Sequence, residues 1–256
     1  MLNALPDQFN ALVVGANRGI GLGLARSLAA DKRVGQIFCG CRAPEEAAEL
    51  HALAERDCRV RALRMDVRDE FTLSLAVSEM ERFGGPLHLV IVAAGVLHDA
   101  NGMKPERRIA DITPETAMHS LQVNGLGPML VLKHVEHLLR GAAGPGYFAS
   151  ISARVGSIGD NRIGGWYAYR AAKAAQNQFI HTAAIELARS QPELCCVTLH
   201  PGTVNTELSK PFQQRVPADK LFDVERASQQ LLDVLGGLTP ADSGGFFAWD
   251  GKPVPW

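Results

Sequence analysis

The chain has 256 residues and a formal net charge of −1. That is long enough for one α/β domain with a sizeable core, and it leaves no excess of positive charge for a nucleic-acid backbone or an anionic membrane. No apolar run approaches the ~18–20 residues needed to span a bilayer. Residues 1–10 lack a basic, apolar leader, so a cytoplasmic protein with no nucleic-acid or membrane partner is expected.

The first element is the apolar run 11–15, read as a buried strand that ends in Gly15. A turn containing Asn17, Arg18, Gly19, Ile20 and Gly21 follows, and helical periodicity runs over 19–31. Strand, glycine turn and helix is the setting in which a backbone cradles a pyrophosphate at a helix N-terminus. The spacing is Gly-x-x-x-Gly-x-Gly rather than the commoner Gly-x-Gly-x-x-Gly.

The second strand, 36–41, runs into Arg42, and the first acids, Glu45 and Glu46, fall in the next helix, 45–55. An acid at the strand tip would select NAD. Arg18 and Arg42 instead suit the 2′-phosphate of NADP(H), which is the cofactor expected here. The third strand, 59–65, leads to Asp66 and Val67 and to a helix over 69–82. The fourth, 87–93, leads to Ala93, Ala94 and Gly95. A long helix over 114–140 contains Asn124, Gly125, Gly127 and Pro128, poor helix formers that predict a local distortion.

The fifth strand, 146–152, carries Ser150 and Ser152 and opens into a loop with Ala153, Gly156 and Ser157. The helix 167–190 then places Tyr169 and Lys173 four residues apart, on one face. A phenol has an ordinary pKa of about 10, and a neighbouring cation favours the phenolate, so the pair is read as a tuned acid or base. The sixth strand, 194–200, ends at Pro201 and Gly202. The segment 203–223, with Val204, Thr206, Phe212 and Phe222, is read as a substrate lid. A helix over 224–236 and a strand over 244–249 complete the chain. Alternating strands and helices predict a single Rossmann-type α/β domain over 1–256, a doubly wound parallel sheet with helices on both faces.

Cys39, Cys41, Cys58, Cys195 and Cys196 lack metal-type spacing and read as reduced thiols. His134 and His137 have no third ligand in view, so no metal is expected.

With these motifs in this order, the chain resembles the short-chain dehydrogenases/reductases over essentially its whole length. The words Gly156 to Asn161, Tyr167 to Lys173 and Asp250 to Trp256 are similar to the branch of the C-factor and sniffer-like carbonyl reductases. The resemblance implies an NADPH-dependent reductase of a small carbonyl compound. Tyr169 would protonate the substrate oxygen, Lys173 would hold the nicotinamide ribose, and the Asn124 carbonyl would hold a water of a proton relay. Asp66 would bind the adenine amino group with Val67 near the ring, and Pro201, Gly202, Val204 and Thr206 would face the nicotinamide.

The chain departs from the family pattern at one place: Ala153 stands where relatives carry a serine. Ser157 is the first candidate to replace it and Ser152 the second, although strand alternation points Ser152 to the opposite face; the third reading has no serine taking part. His98, Phe212 and Phe222 would line the substrate pocket. Small residues on the two long helices, among them Ala171, Ala172, Ala174 and Ala175, suggest a homodimer or homotetramer, as in the family. The rival reading is a dinucleotide-binding signalling or scaffold protein with little or no turnover.

Overall fold

The computed structural model describes residues 2–100, 102–142 and 144–256. Seven parallel strands form one sheet in the order β3-β2-β1-β4-β5-β6-β9. They are β1 (Phe9–Val14), β2 (Val34–Cys41), β3 (Val60–Arg64), β4 (Leu89–Val92), β5 (Gly146–Ile151), β6 (Leu194–His200) and β9 (Phe246–Ala248). The helices between them are α1 (Gly19–Ala30), α2 (Ala48–Arg56), α3 (Glu70–Phe83), α4 (Pro114–Ser120), α5 (Gly127–Arg140), α6 (Tyr167–Leu187) and α7 (Val224–Gly237). This is the doubly wound Rossmann-like fold that the alternating pattern predicts.

The strands read as continuous apolar runs because both faces of the sheet are covered. On one face Ala11, Val13, Ile37 and Ile91 meet Leu24 and Leu28 of α1 and Leu231 and Leu235 of α7. On the other, Leu12, Val14, Phe38 and Val90 meet Leu73 and Met80 of α3, Val131 and Val135 of α5, and Ile180 of α6. Burying each large side chain of this kind is worth about 1.5–3 kcal/mol, and β1 contributes to both cores at once.

The helix expected over 114–140 carries the local distortion its composition predicts: it is α4, a π-helical segment Leu121–Leu126, and α5. One feature departs from the sequence reading. Glu45 and Glu46 lie in a short 3-10 turn, Pro44–Glu46, ahead of α2 rather than inside it.

Beyond β6, the two-residue strands β7 (Thr203–Val204) and β8 (Leu221–Phe222) pair in parallel. They clasp the base of the intervening segment. At the C-terminus, Trp256 packs on His181 and Phe246, with ring centroids 5.3 and 5.8 Å apart. Its carbonyl accepts the Gly159 N–H at 2.7 Å, which ties the loop after β5 to the end of the chain. No helix among the described residues is long and apolar enough to cross a membrane.

Candidate active site

The strand order reverses between β1 and β4, and the turns that leave their C-terminal ends frame a crevice there. Gly15 has φ +87°, and a Cβ on it would meet the Ala94 nitrogen at 2.6 Å. A Cβ on Gly21 would meet the Gly15 carbonyl oxygen at 2.2 Å. Only glycine lets these three backbones close up. The Gly15 and Ala16 N–H groups both donate to the Gly40 carbonyl, at 2.7 and 3.1 Å, and Ala93 N–H donates to Val14 O at 2.8 Å. The turn is thereby sewn to both neighbouring strands, and the first N–H groups of α1 open onto the crevice.

Arg18, at the N-cap of α1, and Arg42, at the tip of β2, are exposed, and neither has an ion-pair partner among the described residues. Arg42 lies close enough to Asp66 to favour its carboxylate. Asp66 also accepts from Arg68, 2.9 Å from Nη2 and 3.2 Å from Nε, and its carboxyl is held below the usual range by these bonds in spite of partial burial. Asp66 and Val67 line a cavity of about 390 Å³ with Gln122, Leu126 and Leu130. Gly19 sits against the Thr206 methyl, where an added Cβ would come within 3.3 Å. The start of the clasped segment therefore rests on the glycine turn. Ile20 packs partly into the core, Val204 is buried, and Asn17 is exposed at the turn's outer edge.

Asn124 occupies the π-helical segment and is fully buried. Its Oδ1 accepts the Val96 N–H at 2.9 Å, and its Nδ2 donates to Val96 O at 2.8 Å and to Ser120 Oγ at 3.1 Å. The widened turn carries this side chain to the loop after β4, so the distortion expected from composition has a structural task.

Tyr169 and Lys173 lie on the first two turns of α6, with Lys173 Nζ 5.8 Å from the centroid of the phenol ring. Burial pushes the Tyr169 hydroxyl above its ordinary pKa and draws Lys173 down to about 7. The expectation that the lysine lowers the phenol's pKa is thus not met: desolvation acts on both groups, and the ammonium is engaged elsewhere. Nζ donates to the Ile151 carbonyl at 2.8 Å and to Gln176 Oε1 at 2.9 Å.

Ala153 is partly exposed in extended backbone at the mouth of β5. Ser152 is buried and donates to Asn177 Oδ1 on α6 at 2.7 Å. Ser157 is also buried, and its Oγ accepts the Asp160 N–H at 3.1 Å, which leaves its own hydroxyl proton uncommitted.

Three aromatic groups stand over this region. Trp166 meets Tyr169 edge-on with centroids 6.1 Å apart, Phe212 lies 4.9 Å from Trp166, and His98 lies 6.1 Å from Phe212. His98 Nε2 is 3.1 Å from the Glu207 carbonyl, a second tie between the loop after β4 and the clasped segment. Phe222 is buried against Val204, Ala227 and Trp249, because β8 carries it inward, and it lines a cavity of about 470 Å³ with His200, Gly202 and Trp249 rather than standing with Phe212 over Tyr169.

Glu106 had no signal in the sequence, standing as one acid among Lys104, Arg107 and Arg108. It is buried, its Oε2 accepts the Ala168 N–H at 3.2 Å, and its backbone carbonyl accepts the Trp166 N–H at 2.6 Å. Trp166 itself is left-handed, φ +55°, and supplies no side-chain cap. A residue from the loop after β4 therefore caps the helix that carries Tyr169. His134 and His137 face Glu70 and Glu81 at 2.7 and 3.0 Å. No group of three metal-ligating side chains occurs among the described residues.

Residues 10–217 match the family model for short chain dehydrogenase. The C-signal protein of Myxococcus xanthus is 32% identical over 173 residues, which cover 67% of this chain and 94% of that protein. Among solved structures, an NADPH-bound carbonyl reductase from chicken fatty liver superposes with TM-score 0.87 and 28% identity, covering 98% of this chain and all of that one. The carbonyl reductase Sniffer of D. melanogaster superposes with TM-score 0.85 at 26% identity, with the same coverage.

Proposed function

We propose that this chain, which belongs to the short-chain dehydrogenase family, is an NADPH-dependent reductase that converts a small carbonyl compound, an aldehyde, ketone or quinone, into its alcohol. The observation that carries the reading is the Tyr169–Lys173 pair on α6, with Lys173 buried and its Nζ 5.8 Å from the half-buried phenol ring, together with the close-packed glycine turn at the point where the strand order reverses. The likeness to an NADPH-bound carbonyl reductase supports the same cofactor.

The residues present fit such a dinucleotide. Gly15, Asn17, Gly19, Ile20 and Gly21 would hold the pyrophosphate, where any Cβ at Gly15 or Gly21 would fill the cradle. Arg18 and Arg42, free of carboxylate partners, suit the 2′-phosphate. Asp66 and Val67 suit the adenine, within the cavity they line. Ala93, Ala94 and Gly95 would follow the cofactor along the crevice, and Pro201, Gly202, Val204 and Thr206 would face its nicotinamide. Bound there, NADPH supplies a hydride to the carbonyl carbon.

Tyr169 donates the proton that the substrate oxygen requires. Its raised pKa keeps the phenol protonated throughout the neutral range, the form a reductase needs. Lys173, with two N–H bonds committed to the protein, has a third for a ribose hydroxyl. Asn124 fixes the loop at Val96, and its backbone in the widened turn is the place for a relay water. Ser157, whose hydroxyl proton is uncommitted, is the best placed serine to replace the one lost at position 153. We read segment 203–223 as the lid, with Phe212 closing on Trp166.

On α6, Ala172 and Ala175 pack against Gly125 of the same chain. Ala171 stays exposed, and with the exposed Met118, Phe179 and Ile185 it would form the expected dimer or tetramer contact.

The test is NADPH oxidation against a panel of aldehydes, quinones and α-dicarbonyls, with Tyr169→Phe alongside. The reductase reading expects turnover that falls by ~10²-fold or more in the variant while NADPH binding persists. The likeness to the C-signal protein, together with Ala153, favours a second reading: a dinucleotide-binding signalling or scaffold protein. NADPH binding without turnover selects it, whereas a variant that works as well as the parent removes Tyr169 as the proton donor.

A further inference from the structure

Lys173 has three N–H bonds to place, and the chain takes two of them. One goes to the backbone of β5 at Ile151, the other to Gln176 Oε1. Gln176 lies at i+3 on α6, so it shares the face that looks onto β5. Its Nε2 donates to Ser150 Oγ at 2.6 Å. The ammonium, which can only donate, settles which way the amide points: oxygen toward Lys173 and nitrogen toward the serine, whose hydroxyl accepts. Lys173 is 3% exposed, and Gln176 and Ser150 are fully buried.

A buried primary amide must have both ends bonded to be tolerated, and an apolar side chain of similar volume would fill the same space without that demand. What glutamine does here that an apolar side chain cannot is accept from a buried ammonium.

We propose that Gln176, oriented by Ser150, is the positioning residue for Lys173: it keeps the side chain charged and aimed in the dry interior, with one N–H left for the cofactor ribose. The inference rests on the reading of Lys173 as part of a reductase site.

The surroundings of the ammonium make the acceptor matter. Tyr169 stands on the same helix, and the Arg154–Gly156 turn packs against α6 with Arg154 directed to Asp160. Tyr147 of β5 bonds Leu238 O with its hydroxyl and packs in the core on the other face of the sheet. On β6, Cys196 is a buried thiol with its pKa pushed up, and His200 is held neutral, its pKa drawn down to about 4 by burial and by Arg154. Asn124 on the π-helical segment is neutral. Burial is the one cause acting on Lys173, and no anion offsets it. The ammonium is therefore held by neutral acceptors alone.

The experiment uses the full chain with Gln176→Met, Gln176→Glu and Ser150→Ala. The readouts are kcat and KM against pH, NADPH affinity against pH by fluorescence, and melting temperature. Reduction needs charged Lys173, so activity falls as pH rises through the lysine pKa. Gln176→Met is expected to move that fall about one pH unit lower and to weaken NADPH binding about tenfold at the alkaline end, with little change at the acid end. Gln176→Glu should move it the other way, and Ser150→Ala should follow the methionine variant with a smaller shift. A methionine variant with the parent's pH profiles and only a lower melting temperature would overturn the inference, leaving Gln176 a core residue. If the parent shows no Tyr169-dependent turnover, the reductase reading fails by itself. The pH dependence of NADPH affinity still decides the role of Gln176.

Discussion

Asn124 holds Val96 by both of its backbone groups, with Oδ1 on the N–H at 2.9 Å and Nδ2 on the carbonyl at 2.8 Å. One side chain thus completes, for a residue in a loop, the pair of bonds a neighbouring strand would make. Asn124→Ala leaves both groups wanting partners. It should cost about 2–4 kcal/mol of stability, measured by urea unfolding, because a stranded buried polar group costs about 1–3 kcal/mol.

The serine question has a sharp experimental form. Ser152 is committed to Asn177, whereas the Ser157 hydroxyl keeps a free proton. Ser157→Ala is expected to lower kcat by up to ~10²–10³-fold if it donates to the substrate oxygen, and Ser152→Ala to leave kcat near the parent's while lowering thermal stability. Equal kcat in both variants would mean that the reaction uses no serine.

Among the described residues neither Arg18 nor Arg42 has an ion pair to break when a phosphate arrives, although Arg42 lies near Asp66. Replacing either by alanine should weaken NADPH binding ~10–100-fold and leave NADH almost unaffected, since hydrogen bonds to charged groups contribute about 1.5–3 kcal/mol. Fluorescence titration of the two nucleotides reads the ratio directly.

Lys173 also leaves a mark on stability. Its pKa is about 7 in the fold against an ordinary 10.5, so the unfolded chain binds the extra proton between these values. Stability should therefore rise with pH across that window, and the full penalty applies below it. Lys173→Met should be more stable near neutrality by a few kcal/mol while losing turnover, with the gain shrinking as pH rises. Thermal unfolding at several pH values measures it.

The seven strands and six helical regions were legible because strands such as Ala11–Val14 are buried on both faces and read as plain apolar runs. The break near Asn124 was legible for a different reason: glycine, proline and asparagine disfavour a helix whatever surrounds them. What stayed hidden depends on partners distant in sequence. Glu106 caps a helix that begins some 60 residues later, and no local pattern marks it. Gln176 stood in view at i+3 from Lys173, but composition does not say that both turn inward to β5. Phe222 reads as a pocket residue from its place in the expected lid, and only the pairing of β8 with β7 shows that it packs in the core.

The pairing of Val204 with Phe222 has one more consequence. It brings the two ends of an excursion side by side, so the chain between them behaves as an appended loop whose closure is settled at its base. Doubling the length of such a loop costs only about 0.6 kcal/mol. The fold can therefore accept changes of length between Asn205 and Lys220 without disturbing the sheet, provided that Thr206 keeps its seat on Gly19 and Phe212 its contact with Trp166. Ligand preference and scaffold stability can evolve here as separate properties, and a graft cut at these two strands is the natural unit of exchange.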